Sequence, residues 1–193
     1  DCWDLEYNFP FGWRELQGIA DRGDFDLSQH EKISKQKLGV FDEETKERFL
    51  PHVICEPSFG VERAILVFLY EAYSLNEKGN VILKLSPKLA PIKAAIFPLM
   101  KKGSQADLAE KIFDNLKKRL NVTYDVSGSV GRRYARNDEI GTPFCITVDD
   151  QSLEDGTVTI RDRDTTEQKR VAVKDLKYVL LDLVDGEKKF SEL

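Results

Sequence analysis

The sequence predicts an α/β protein with α+β elements, arranged in two parts. The second half alternates strand and helix patterns, the order expected of a mixed sheet covered by helices. The first half combines strand patterns with one strongly apolar helix. The halves also differ in charge: residues 1–85 hold 10 Lys and Arg against 16 Asp and Glu, and residues 86–193 hold 19 against 18. A seam falls at Leu85-Ser86-Pro87, followed by Pro91. Proline stops helices and ladders there and pushes the preceding residue to an extended conformation. Domains are therefore expected at 1–85 and 86–193, joined by a short extended linker.

In the first part, Gly12 to Ile19 alternates bulky apolar with polar residues and predicts a strand, with Glu15 and Gln17 sharing a face. Asp24 to Glu31 reads as a helix start, with Asp in the cap region and acids in the first turn. Phe41 to Phe49 is a charged surface connection, and Val53-Ile54-Cys55 a short strand ending at Glu56-Pro57-Ser58-Phe59-Gly60. Val61 to Tyr73 is apolar nearly all round, which predicts a buried helix.

In the second part, Ile92 to Leu99 predicts a strand ended by Pro98. Gln105 to Leu120 predicts an amphipathic helix, since Leu108, Ile112, Leu116 and Leu120 recur every four residues. Val122 to Val126 is a strand, Gly131 to Asp138 a basic helix, and Pro143 to Val148 a buried strand. A turn at Asp155-Gly156 leads into a strand over Val158 to Asp164, and Val173 to Val184 forms the last helix.

Composition excludes several classes. With 41% hydrophobic and 33% charged residues, the chain is neither collagen-like, nor a coiled-coil rod, nor a disordered tail. No apolar run reaches the roughly 18–20 residues that span a bilayer, so no membrane partner is expected. The odd set Cys2, Cys55 and Cys145 reads as reduced thiols and a cytoplasmic location. His30 and His52 stand alone without a Cys-x-x-Cys, so there is no zinc signature. The chain opens at Asp1 and its one methionine is Met100, which reads as a processed chain or a part of something longer.

The densest chemistry lies in Glu56-Pro57-Ser58-Phe59-Gly60-Val61-Glu62-Arg63. A strand ends in a carboxylate and a hydroxyl, a glycine lets a ligand approach the backbone, and a helix opens with an arginine in its first turn. Carboxylate plus hydroxyl suits an ammonium group, and arginine beside a helix amino end suits phosphate. The same octapeptide also fits a plain turn with a salt-bridged arginine. Glu15 is a second carboxylate on a neighbouring strand, able to share a metal or an amine with the first, or simply to be exposed. In the second part, Arg132, Arg133 and Arg136 lie on one helix, and Arg161 and Arg163 are expected to protrude from one side of a strand. Arginines so placed suit RNA contact, although Asp138, Glu139, Asp162 and Asp164 alongside also fit a solvated charged surface.

These stretches carry a resemblance. Residues 12–27, Gly12-Trp13-Arg14-Glu15-Leu16-Gln17-Gly18-Ile19-Ala20-Asp21-Arg22-Gly23-Asp24-Phe25-Asp26-Leu27, resemble a strand and helix late in the catalytic domain of the glycyl-tRNA synthetases. Glu56 to Arg63 resembles their third class II motif. Gly128-Ser129-Val130-Gly131-Arg132-Arg133-Tyr134-Ala135-Arg136-Asn137-Asp138-Glu139-Ile140-Gly141-Thr142-Pro143-Phe144 and Thr159 to Gln168 are similar to their anticodon-binding domain.

The resemblance implies the carboxy-terminal part of the homodimeric, archaeal/eukaryotic-type enzyme. The fold it implies is part of a class II antiparallel-sheet catalytic domain, then a mixed-sheet α/β anticodon-binding domain. It further implies glycine, ATP with Mg²⁺, and tRNA(Gly) as partners. Glu56, Pro57, Ser58, Phe59 and Gly60 would take glycine. Glu15, Leu16, Gly60, Val61, Glu62 and Arg63 would take ATP, with Glu15 a Mg²⁺ ligand, and Arg132, Arg133, Arg136, Arg161 and Arg163 would meet the anticodon. The first and second class II motifs are missing, so the chain alone is expected not to make glycyl-adenylate. The competing reading is a non-catalytic accessory subunit that binds nucleic acid, which would have no need of Glu15, Glu56, Ser58 and Arg63.

Overall fold

A computed structural model describes residues 1–193. The chain forms two compact units, Asp1–Val67 and Phe68–Leu193, and the Leu85-Ser86-Pro87 seam lies inside the second.

In the first unit, β1 (Cys2–Phe9) and β2 (Gly12–Ala20) form an antiparallel hairpin, and β5 (Glu56–Phe59) pairs with the other edge of β2. Between them lie α1 (Phe25–Ser34) and a small ribbon of β3 (Val40–Phe41) and β4 (Arg48–Phe49). The strand expected at Val53–Cys55 starts later: Val53 makes a single bridge to Gly23, and the ladder begins at Glu56.

The apolar helix α2 (Val61–Ala72) starts where expected but is not buried. Val61, Ile65, Phe68, Leu69 and Tyr70 are all exposed, as are Trp3, Trp13 and Ile54. Only Phe9 and Ala64 are buried hydrophobics before Val67. Exposed apolar surface on this scale is typical of an interaction face.

The second unit opens with a hairpin of β6 (Tyr73–Leu75) and β7 (Val81–Leu83). Its sheet combines β8 (Ala94–Pro98), β9 (Val122–Tyr124), β10 (Phe144–Val148), β11 (Thr157–Asp162) and β12 (Gln168–Ala172), in the order β12-β11-β10-β8-β9. β8 is parallel to both neighbours, and β10, β11 and β12 run antiparallel in turn, so the sheet is mixed as expected.

The helices are α3 (Ser104–Leu116), α4 (Val130–Glu139), α5 (Asp150–Asp155) and α6 (Leu176–Asp185). Ile112 and Leu116 of α3 and Leu176, Leu180 and Leu183 of α6 pack with Ile96, Ile146, Val148, Val158 and Ile160 of the sheet. On the opposite face Ala95, Phe97 and Cys145 pack with Tyr134 of α4. Both faces of the sheet are therefore covered, which is why β8 and β10 are buried along their whole length. The last helix begins at Leu176, because Val173 still bonds back to Gly156.

Asp149 ties this unit together: its carboxylate caps α5 through Ser152 and accepts two bonds of 2.9 Å from Arg170 on β12. The Arg170 bonds, aided by those from Ser152, hold this carboxyl far below the usual range. A lowered folded pKa means the stabilisation is complete above pH ~4 and fades as the pH falls through the folded value. Asp149→Asn is expected to cost about 2 kcal/mol at neutral pH. In urea unfolding followed against pH, the gap to the unaltered chain should close progressively below pH ~4.

Candidate functional site

The three-stranded sheet of the first unit gathers the carboxylates. In the β2–β5 ladder, Gly18 faces Ser58 and Ala20 faces Glu56, so Glu56 and Ser58 look out from one face and Pro57 and Phe59 from the other. Asp4 of β1 lies opposite Gly18 on the Glu56–Ser58 face. The β1–β2 register shifts at Leu5/Glu6, and this bulge brings Glu15 round to the same neighbourhood. A Cβ at Gly18 would stand 3.4 Å from Glu15 Oε1 and 3.5 Å from Asp4 Oδ1. Gly18 thus forms an open floor between two carboxylates and the Ser58 strand.

Two arginines complete the cluster. Arg63, in the first turn of α2, donates to the Glu15 carbonyl and lies 3.9 Å from its carboxylate, folded against Gly60. Arg22 grips Asp26 at 2.7 and 3.0 Å and reaches Glu56 at 3.5 Å. The Arg22 bond holds the Asp26 carboxyl below its ordinary value. Leu16 is half-buried at the bulge, while Val61 and Glu62 are exposed at the start of α2.

Arg63 and Glu15, expected to act together, are together; Glu56 and Ser58 share one face as their spacing requires. Sequence reasoning assigns no site role to Asp4, Gly18 or Arg22, which the structure adds to the cluster. Asp4 was legible in the alternation of Cys2-Trp3-Asp4-Leu5-Glu6-Tyr7, and Arg22 in its spacing of four from Asp26. No three Asp, Glu, His or Cys side chains cluster closely enough to hold a metal.

The arginines of the second unit divide sharply. The expectation that Arg161 and Arg163 protrude is corrected: β11 lies inside the sheet, and its Arg161 face is covered by α4. Arg161 is 8% exposed, bonds both oxygens of Asp138 at 2.8 and 3.0 Å, and stacks 4.7 Å from the Tyr134 ring centre. Arg163 is 1% exposed and donates to the carbonyls of Gly141 and Leu85, each at 2.8 Å, and to Asp164.

Arg133 is corrected likewise. It turns inward on α4 and bonds the carbonyls of Pro98, Val126 and Gly128. All three guanidinium groups are committed within the unit, Arg133 and Arg163 to backbone carbonyls and Arg161 to the Asp138 carboxylate. Arg132 and Arg136 remain on the exposed side of α4, one turn apart. Arg136 pairs with Asp125 at 2.5 Å, whereas Arg132 makes no hydrogen bond or ion pair and lies over Gly128.

Comparison with known proteins finds a likeness over the region that carries these arginines. Residues 93–183 match the anticodon binding domain. Across both units the chain is similar to bacterial glycine–tRNA ligases. It is 51% identical over 185 residues to that of Clostridium perfringens, covering 92% of this chain and 39% of the relative. It is 54% identical over 177 residues to that of Malacoplasma penetrans, with 90% and 38% covered. It is 49% identical over 194 residues to that of Corynebacterium glutamicum, with 95% and 42% covered. The chain thus spans about two fifths of the length of these relatives. The anticodon binding domain match contains Arg132, Arg133, Arg136, Arg161 and Arg163, whereas Glu15 and Glu56 to Arg63 precede it. No helix is long and apolar enough to cross a membrane.

Proposed function

We propose that this chain is part of a class II glycine–tRNA ligase: residues 1–85 complete a glycine and ATP site, and residues 86–193 bind tRNA(Gly). The observation that carries the reading is 51% identity over 185 residues, a length that has to run through both the acidic sheet and the anticodon match. The geometry supports it, because Arg63 bonds Glu15 across 48 residues and so joins the two segments expected to meet at ATP. The uncovered apolar surface of the first unit and the greater length of the relatives fit a catalytic domain with further segments.

In this reading Glu56 and Ser58 hold the glycine ammonium and Gly60 lets the backbone close on it, which disfavours a substrate with a methyl group; Pro57 and Phe59 face the other side of β5 and act through its backbone. Arg63 steadies the ATP phosphates, with Leu16, Val61 and Glu62 alongside. Glu15 would meet a Mg²⁺ that accompanies the nucleotide, and the ion would supply neutralisation of phosphate charge. The glycine carboxylate is then the nucleophile toward the α-phosphate, so the protein positions and neutralises rather than attacking. Arg132 and Arg136 are the arginines left to meet tRNA.

The homodimeric, archaeal/eukaryotic-type enzyme and a cytoplasmic location complete the proposal. The first rests on the motif resemblance, beside relatives that are bacterial; the second rests on three free cysteines. The test is ATP–pyrophosphate exchange by the protein carrying the segments its relatives have in addition. Exchange should depend on glycine and not respond to alanine. Exchange that is absent, or is driven equally by alanine, would overturn the assignment.

A further inference from the structure

The deeply buried Arg163 calls for an explanation, since its role is not the RNA contact expected of it. Its fork joins the Gly141 carbonyl, at the end of α4, to the Leu85 carbonyl, just beyond β7. The two segments also touch directly. Gly141 has a φ of +82°, and a Cβ there would stand 3.0 Å from Leu85 Cδ1 and 3.2 Å from the Leu83 carbonyl oxygen. The arginine therefore clips the outgoing end of the β6–β7 hairpin onto the α4–β10 turn.

The far end of that hairpin is stiff as well: the Asn76 side-chain oxygen accepts from the Lys78 and Asn80 amides, both at 2.9 Å. Between this turn and the exposed side of α4 runs an open groove of about 480 Å³, lined by Asn80 and Val81 on one wall and Arg132, Ala135, Arg136 and Glu139 on the other. Arg132 is unpaired, Ala135 leaves width, and Glu139 is the one acid of the lining.

We propose that the groove between the hairpin and α4 receives the phosphate backbone of an RNA strand, with Arg163 as the positioning residue that fixes the hairpin wall. The inference rests on the tRNA-binding reading above and adds the hairpin to it. An unpaired guanidinium on a wall whose second arginine lies one turn on suits successive phosphates. A lysine could not replace Arg163, because a point charge lacks the planar fork that spans two carbonyls and Asp164.

The test measures binding of a fluorescent tRNA(Gly) transcript to this chain across a salt series. Asn80 is exposed and its side chain is free of the turn's hydrogen bonds, so charge changes there leave the fold in place. Asn80→Glu should weaken binding about fivefold, and Asn80→Lys should tighten it about threefold with a salt slope steeper by about one. Arg163→Lys should weaken binding about threefold while amide exchange rises over residues 76–85 and not in α3 or β8. Wild-type binding that neither Asn80 change alters overturns the groove and leaves the tRNA reading standing. No binding by the wild-type chain removes both.

Discussion

Asp138→Ala is expected to destabilise the second unit by about 3–5 kcal/mol, the largest stability loss foreseen for a single substitution in this chain. Asp138 is 6% exposed and holds Arg161 by two hydrogen bonds beneath α4. Removing the carboxylate leaves a guanidinium buried against Tyr134 and Cys145 with no counter-charge, and its desolvation is then uncompensated. The cost comes from the orphaned charge rather than from the net worth of the pair. The double change Asp138→Leu with Arg161→Met should consequently recover most of the loss. Denaturant unfolding of the two variants measures the difference; a single change that costs under about 1 kcal/mol would mean that water reaches Arg161.

The largest functional loss is expected from Glu56→Gln in the protein carrying the segments its relatives have in addition. Glutamine keeps the shape and the β5 ladder but removes the charge that, in the proposed reading, faces the glycine ammonium. Glycine-dependent exchange should fall by roughly 10²-fold or more, mostly through a raised KM for glycine. Binding of tRNA should be unchanged, because Glu56 lies in the first unit. Arg22 would lose its 3.5 Å neighbour at the same time, so a matching Arg22→Ala variant separates the two effects. Exchange with normal KM in Glu56→Gln would remove this carboxylate from the glycine site.

The second unit was largely legible in the sequence. Phe144-Cys145-Ile146-Thr147-Val148 reads as a buried strand because it is covered on both faces, and α3 shows its face at every fourth residue. The first unit was less legible for a physical reason. Periodicity says which surface seeks cover, not whether the cover lies in the same stretch of chain. So the pattern of α2 specifies a helix, as the structure has it, but not the burial of its apolar residues, which are exposed.

The arginines illustrate the same limit from the other side. Alternation places Arg161 on one face of β11 but does not say whether that face is solvent. The missing clue was the packing of α4, whose Tyr134 and Asp138 cover that face of β11 and take up Arg161. At the candidate site, Glu15, Glu56, Ser58 and Arg63 were visible as motif residues. Asp4 and Gly18 emerge only once the β1–β2 bulge and the Gly18–Ser58 register are known, because a side chain's neighbours across a ladder depend on register.

The most direct measurement compares the binding of this chain to tRNA(Gly) and to the same transcript with its anticodon bases replaced, at one fixed salt concentration. A module that reads the anticodon will lose about tenfold or more in affinity for the altered transcript, each mismatched base contact being worth roughly 1–3 kcal/mol. Equal affinity for the two transcripts, falling alike with salt, would show backbone attraction alone and contradict an anticodon-reading role.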